Sequence, residues 1–230
     1  MGNELNEDTE YTYIQPVVLN DFSPSGYRVF KRLFDILSSS VAMILLSWLL
    51  LLVAAIIKVT SKGPAFYTDH RVGLNGKDIY VLKFRTMFVD AEEHIRDYLT
   101  DEQYKAWLAE RKVENDPRIT SIGRFLRKTS IDELPQLVNI LKGDLSVVGP
   151  RPLTRFEVEE NFTPSEQKKL LSVKPGLTGN WGAYGRSAVT YESGERQRME
   201  LEYVDRRSIL FDFKLIFATV GSVLRGKGAQ

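Results

Sequence analysis

The sequence predicts an α+β chain, mostly α, with an N-terminal re-entrant membrane helix, a small β-hairpin and several interfacial amphipathic helices. Three observations carry that expectation: an uncharged apolar run from Ile36 to Ile57, two β-prone runs either side of Asn75-Gly76, and an apolar, aromatic stretch beginning at Ile209. The expected organisation is a tail over 1–27, the membrane helix over 28–60 and a single domain over 61–230.

The apolar run comes first along the chain. About 20 apolar residues in a helix cover the roughly 30 Å hydrocarbon core of a bilayer, and uncharged runs of this length are rare in soluble cores. The run starts behind Glu4, Glu7, Asp8, Glu10 and Asp21, and no small-residue cleavage pattern follows it, so it does not read as a signal peptide. Arg28, Lys31 and Arg32 precede it, while Lys58, Lys62 and Arg71 follow it. Both flanks favour the cytoplasmic side. A helix that enters the bilayer and returns to the same face satisfies both, with Ser38, Ser39, Ser40 and Ser47 available to bond backbone groups at a bend; against this, the run contains no proline and its length also suits a straight span.

Ala65 to Asp69 and Ile79 to Phe84 are the β-prone runs, and Asn75-Gly76 between them is a strong hairpin signal. From Ala91 to Lys112, Ile95, Leu99, Trp107 and Leu108 recur among many charges, which predicts one amphipathic helix. Asp116-Pro117 interrupts the helical pattern. Ser130 and Glu133 then precede Leu134, Leu137, Val138, Ile140 and Leu141, the signature of a capping box and a short helix closed by Gly143. The stretch from Val147 to Pro152 is forced extended by its prolines. Thr163-Pro164-Ser165-Glu166 opens another helix, and Lys174 to Gly182 reads as a glycine-rich loop. From Ile209 to Val220, with Val223 and Leu224, the chain is too aromatic for an ordinary surface helix and too interrupted by Asp212 and Lys214 to span. An interfacial amphipathic helix is expected there.

Composition narrows the chemistry. The 31 basic and 30 acidic residues leave a formal charge of +1, so any electrostatic signal is local. With no cysteine there is neither a disulfide framework nor thiolate chemistry, and His70 and His94 are too few for a histidine-rich zinc site. Carboxylates are left to do the work. Asp132 and Glu133 stand at a predicted helix start amid Arg118, Arg124, Arg127, Lys128 and Arg151, with Lys83 and Arg85 at the hairpin exit. So much positive charge predicts ionised carboxylates. The combination suits phosphoryl transfer, with a carboxylate as nucleophile or as ligand to a divalent cation. Two other readings stay open on residues alone: a non-catalytic membrane adaptor whose basic patches hold anionic lipid, and a nucleic-acid binder using Arg111 to Lys128. Asp101, Glu102, Glu110, Glu114 and Asp116 dilute that second patch, so no nucleic-acid partner is expected.

A series of motifs in fixed order adds a resemblance. These include Lys31-Arg32-Leu33-Phe34-Asp35, Arg71-Val72-Gly73-Leu74-Asn75-Gly76, Lys83-Phe84-Arg85-Thr86-Met87, Asp116-Pro117-Arg118, Asp132-Glu133-Leu134-Pro135-Gln136, Gly149-Pro150-Arg151-Pro152 and Gly185-Arg186-Ser187. Over about residues 28 to 229 the chain resembles the bacterial polyprenyl-phosphate sugar-1-phosphate transferases, the monotopic phosphoglycosyl transferases. That resemblance implies a catalytic domain on the cytoplasmic face of the bacterial plasma membrane. It implies transfer of a hexose-1-phosphate, with galactose or glucose favoured, from a UDP-sugar to undecaprenyl phosphate, as the first membrane step of exopolysaccharide or capsule assembly. Asp132 then resembles the nucleophile and Glu133 its magnesium-binding neighbour, while Lys83, Arg85, Arg118, Arg127 and Arg151 match positions expected to bind phosphates. One departure concerns the membrane helix: family members commonly carry Ser-Pro at its middle, whereas Ser47 here is followed by Trp48.

Overall fold

A computed structural model describes residues 25–91, 93–110, 113, 115–185 and 189–224; the expected tail before Ser25, together with Arg111, Lys112, Arg186 and Ser187, lies outside the described residues. The architecture is mostly helical, with one antiparallel strand pair and a long apolar N-terminal helix.

Helix α1 (Ser25–Thr60) runs about 54 Å at 1.5 Å per residue and is long and apolar enough to cross a bilayer. One side of it is docked on the rest of the molecule from end to end. Lys31 Nζ donates to Asp212 at 2.7 Å, and Asp35 accepts from Ser146 Oγ and Val147 N–H, both at 3.0 Å. Ala42 and Met43 pack against Ile79, Val81, Leu137 and Ile140, and Val53 and Ile57 join Ala65, Phe84 and Leu126. The opposite side, with Leu37, Val41, Ile44, Leu45, Trp48 and Leu51, is exposed. Both ends are also tied by arginines. Arg32 caps the carbonyls of Ile140 and Leu141 at the end of the helix over Leu137–Lys142, while Arg85 donates to the carbonyls of Ser61 and Lys62 just past α1.

Strands β1 (Phe66–Val72) and β2 (Asp78–Phe84) form the expected hairpin, with Phe66 opposite Phe84 and Val72 opposite Asp78. Asn75 takes the left-handed conformation at φ 58° in the turn. The single helix expected over 91–112 is two, α2 (Ile95–Tyr98) and α3 (Asp101–Glu110). The reason is local: the Thr100 hydroxyl accepts from Gln103 N–H, and Gln103 Oε1 accepts from Thr100 N–H, a reciprocal cap that starts a new helix.

A further correction concerns Ser130. The residue sits at φ 57° and closes helix α4 (Ser121–Thr129), so its hydroxyl caps nothing downstream. An N-cap needs extended backbone to fold its side chain onto the following turn, and the left-handed conformation removes that option. The chain instead continues as a 3-10 turn, Ile131–Gln136, into α5 (Leu137–Lys142), which Gly143 ends at φ 95° as expected. The extended Val147 segment becomes β3 (Ser146–Val148), paired in parallel with β4 (Gly176–Thr178) from the glycine-rich loop. Helices α6 (Arg155–Asn161) and α7 (Pro164–Leu170) both open on complete capping boxes, at Thr154 and Thr163. Then α8 (Glu195–Arg206) and α9 (Ile209–Leu224) finish the described chain. Asp212, which interrupts the apolar pattern of α9, is buried and accepts from Lys31, Tyr27 and Tyr203.

Candidate active site

The hairpin supplies the floor. Asp69, Arg71, Val81 and Lys83 share one face because side chains alternate along a strand and the register sets Asp69 opposite Val81. Asp69 Oδ2 accepts from Arg71 Nη2 at 2.6 Å and from Lys83 Nζ at 2.9 Å, and these cations hold its carboxyl below the usual range against the opposing effect of burial.

Above Lys83 the 3-10 turn carries Asp132 and Glu133. Burial first, and the Glu133 carboxylate second, raise the Asp132 pKa from 3.8 to about 6, outweighing the pull of Lys83 and Arg127. The sequence suggests a carboxylate held firmly ionised by neighbouring arginines; loss of water matters more than their charge. Arg127 reaches toward this acid from α4 and donates from Nε to Thr86 Oγ1 at 2.9 Å.

The far wall is Arg151-Pro152, β4 and a π-helical turn, Trp181–Gly185. Arg151 Nη1 lies 3.9 Å from Glu133 Oε1, and its guanidinium lies 5.2 Å from the Trp181 ring. The wall depends on backbones meeting at glycine: a Cβ on Gly176 would sit 2.1 Å from the Gly149 nitrogen. Between floor and walls is an open cleft of about 420 Å³, lined by Arg71, Lys83, Glu133, Gln136, Arg151 and Trp181 among others. It is a cationic trough beside paired acids, with one aromatic face.

A profile of the family described as "Bacterial sugar transferase" matches residues 26–226. The chain belongs to the bacterial sugar transferase family. Among similar proteins, this sugar transferase is 41% identical over 201 residues to "Exopolysaccharide production protein ExoY" of Rhizobium meliloti, covering 86% of this chain and 87% of that protein. It is 38% identical over 231 residues to the "Undecaprenyl-phosphate galactose phosphotransferase" of Salmonella typhimurium, covering 97% of this chain and 47% of that one. With the "UDP-glucose:undecaprenyl-phosphate glucose-1-phosphate transferase" of Escherichia coli it shares 38% identity over 212 residues, 89% of this chain and 43% of the other. This sugar transferase therefore spans about half the length of the Salmonella and Escherichia proteins.

Of the residues singled out from the sequence, this sugar transferase brings Lys83, Glu133 and Arg151 to the cleft, with Asp132 and Arg127 immediately behind. Two arginines are engaged elsewhere. Arg118 is buried in a fork on Asp116, with Nη2 to Oδ2 at 2.7 Å and Nε to Oδ1 at 2.9 Å. Arg85 is buried against Ser61 and Lys62. Arg71, Gln136 and Trp181 line the cleft without having been singled out as binding residues. Behind Arg71 stands Glu157, which accepts from Arg71 Nη1 at 3.0 Å and Arg196 Nη2 at 3.4 Å; its capping-box motif with Thr154 was the available signal. For a metal ion, no group of three His, Asp or Glu side chains converges among the described residues. Asp132 and Glu133 fit the sparser demand of magnesium, which takes one or two carboxylates and completes its shell with water and substrate phosphate.

Proposed function

We propose that this transferase moves hexose-1-phosphate, galactose or glucose, from a UDP-sugar to undecaprenyl phosphate through a covalent intermediate on Asp132. An Asp132 carboxylate oxygen attacks the sugar-bearing phosphorus, the diphosphate bridge breaks, and UMP leaves with the bridging oxygen. A phosphate oxygen of undecaprenyl phosphate then attacks the same phosphorus, releasing Asp132 and forming the lipid diphosphate sugar. Lys83, Arg127 and Arg151 surround the acid and offset the phosphate charge. Arg85 ties the hairpin exit to Ser61 and Lys62, and Arg118 pairs with Asp116. Magnesium held by Glu133, with Asp132 beside it, supplies further neutralisation of the diphosphate when bound. The names of the Salmonella and Escherichia relatives support the sugar and lipid classes, and ExoY supports a place in exopolysaccharide production.

The observation that carries the mechanism is Asp132 itself: a largely dehydrated carboxylate whose pKa stays near 6, below neutrality, with Lys83 and Arg127 beside it. Such a group is ionised at pH 7 and weakly solvated, as a nucleophile needs. For location, we place the domain on the cytoplasmic face of the bacterial plasma membrane. Because Lys31 and Asp35 near one end of α1 and Ile57 near the other dock on the same body, a re-entrant course with both ends on one side accounts for the contacts. The outward Leu210, Phe213, Phe217 and Val220 of α9 extend the apolar side of α1, to which Phe213 is joined by Phe34 at 5.3 Å. These residues suit the interfacial layer of the bilayer.

The test is a UDP-sugar carrying a radiolabelled β-phosphate, offered with magnesium and no lipid. Wild type should retain label on the protein and release about one UMP per site, as ping-pong chemistry requires. Asp132→Asn should take no label, and Glu133→Gln should be labelled slowly with weakened magnesium dependence. Turnover by Asp132→Asn, or no labelled protein in wild type, would sink the covalent route.

A further inference from the structure

Helix α8 packs behind the cleft wall that carries Arg151 and Trp181. Arg196, Met199, Glu200 and Tyr203 recur on its inner side at helical spacing. Tyr203 Oη lies 3.1 Å from the Val148 carbonyl, and Glu200 Oε2 accepts from Arg151 N–H at 3.0 Å. The Met199 carbonyl accepts from Asn180 Nδ2 at 3.1 Å, and the Arg196 guanidinium lies 4.5 Å from the Trp181 ring. One helix thus touches both the chain leading to Arg151 and the π-helical turn beyond it.

Glu200 stands out among these residues because its side chain is 0% exposed. Removing a carboxyl wholly from water costs more than a single N–H···O bond returns, and no ion pair offsets it among the described residues. What it grips is unusual. Pro150 and Pro152 flank Arg151, so Arg151 N–H is the sole backbone donor of that tripeptide. The ring of Pro150 fixes φ before it, and Pro152 confines Arg151 itself to extended ψ. The soft dihedrals left are ψ of Pro150 and φ of Arg151, and the peptide between them is gripped from both sides, by Gly176 N–H on the Pro150 carbonyl at 2.8 Å and by Glu200 on the Arg151 N–H at 3.0 Å. From this backbone the guanidinium reaches out between Glu133 and Trp181.

We propose that Glu200 is the positioning residue for Arg151: by holding the Arg151 N–H it fixes the backbone from which the guanidinium stands over the cleft to meet the sugar-nucleotide phosphates. The phosphate part of this inference rests on the function proposed above. The role is one of reach rather than of charge. Burial raises the Glu200 pKa to about 7, against the Arg151 N–H bond, Arg196 and Arg151, with Glu157 adding to the rise. Near neutrality much of the protein therefore already carries the protonated form, which keeps a carbonyl-type oxygen for the Arg151 N–H.

Two substitutions separate reach from charge. Glu200→Gln keeps the length and the acceptor oxygen and loses the charge, whereas Glu200→Asp keeps the charge and draws the acceptor back by one methylene. With UDP-sugar, magnesium and undecaprenyl phosphate, Glu200→Gln should stay within about threefold of wild-type kcat/KM, and Glu200→Asp should lose about tenfold to a hundredfold. Adding Glu200→Asp to Arg151→Ala should cost nothing further, since the two act through one group. A second readout needs no turnover: the rate at which phenylglyoxal modifies Arg151, followed by mass spectrometry. It should rise several-fold in Glu200→Asp and stay at the wild-type value in Glu200→Gln. If wild type turns over no UDP-sugar but this labelling pattern holds, the functional reading fails and the positioning role stands. An active Glu200→Asp, a folded but inactive Glu200→Gln, additive losses with Arg151→Ala, or unchanged Arg151 labelling in Glu200→Asp would each overturn the proposal. Should Glu200→Asp not fold, activity and labelling of Glu200→Gln still decide it.

Discussion

Arg151 Nη1 stands 3.9 Å from Glu133 Oε1, joining the arginine of one cleft wall to the acid pair of the other. That separation is long for a charge-assisted hydrogen bond, so the guanidinium keeps donors for an anion and the Glu133 carboxylate keeps oxygens for a cation. A guanidinium presents its donors as a planar fork, and an ammonium cannot reproduce that geometry. Arg151→Lys should therefore lose most of its turnover, on the order of tenfold or more, with an unchanged melting temperature. Near-normal turnover would make the Arg151 side chain a packing element against Trp181.

Asp132 offers a trade between stability and activity. Its pKa is raised from 3.8 to about 6 on folding, so the folded state holds the proton more tightly than the unfolded chain does. The contribution of this group favours folding below pH 3.8 and is lost as the pH rises through about 6. Asp132→Asn resembles the protonated form. It should melt higher than wild type at pH 7, with a gain that shrinks between pH 6 and pH 4 and then vanishes, while the wild-type UMP burst falls as the pH drops below about 6. A variant that melts lower than wild type at pH 7 would show that the charged carboxylate is stabilised rather than strained.

The lock at the foot of α1 is a stability element. Asp212 accepts from Lys31 Nζ at 2.7 Å, Tyr203 Oη at 2.9 Å and Tyr27 Oη at 3.0 Å, drawing α1, α8 and α9 to one carboxylate. Asp212→Ala leaves a mostly buried ammonium and two phenols without that acceptor, at a cost of about 3 kcal/mol. Thermal melting in detergent should show a drop of several degrees. An unchanged melting temperature would mean that water replaces the carboxylate without loss.

Cysteines at Asn20 and Lys62 test the course of α1. In sealed vesicles both should react with a membrane-impermeant maleimide to the same extent, because the helix docks at both ends on one body. Opposite accessibility would replace re-entry with a span.

Several elements were legible because their causes are local. The hairpin follows from alternation around Asn75-Gly76, α7 from Thr163-Pro164-Ser165-Glu166, the end of α5 from Gly143, and α9 from its apolar and aromatic content. Where local signals competed, the reading went astray. Thr100 and Gln103 split one expected helix, and Ser130 served the end of α4 instead of the start of the next turn.

What the sequence determined by itself is the family and the membrane-length helix, since each is written in contiguous residues or in the order of motifs. Tertiary structure alone decided which cations face the cleft. Arg85 and Arg118 carry the same charge as Arg151, yet they end on Ser61, Lys62 and Asp116 while Arg151 reaches Glu133. It also decided that burial raises the Asp132 pKa to about 6, that β3 and β4 pair in parallel, and that Glu200 lies under Arg151. Each of these depends on desolvation or on partners dozens of residues away. Such effects arise only when the chain closes on itself, because removal of water and the meeting of distant groups are properties of packing and not of any local stretch.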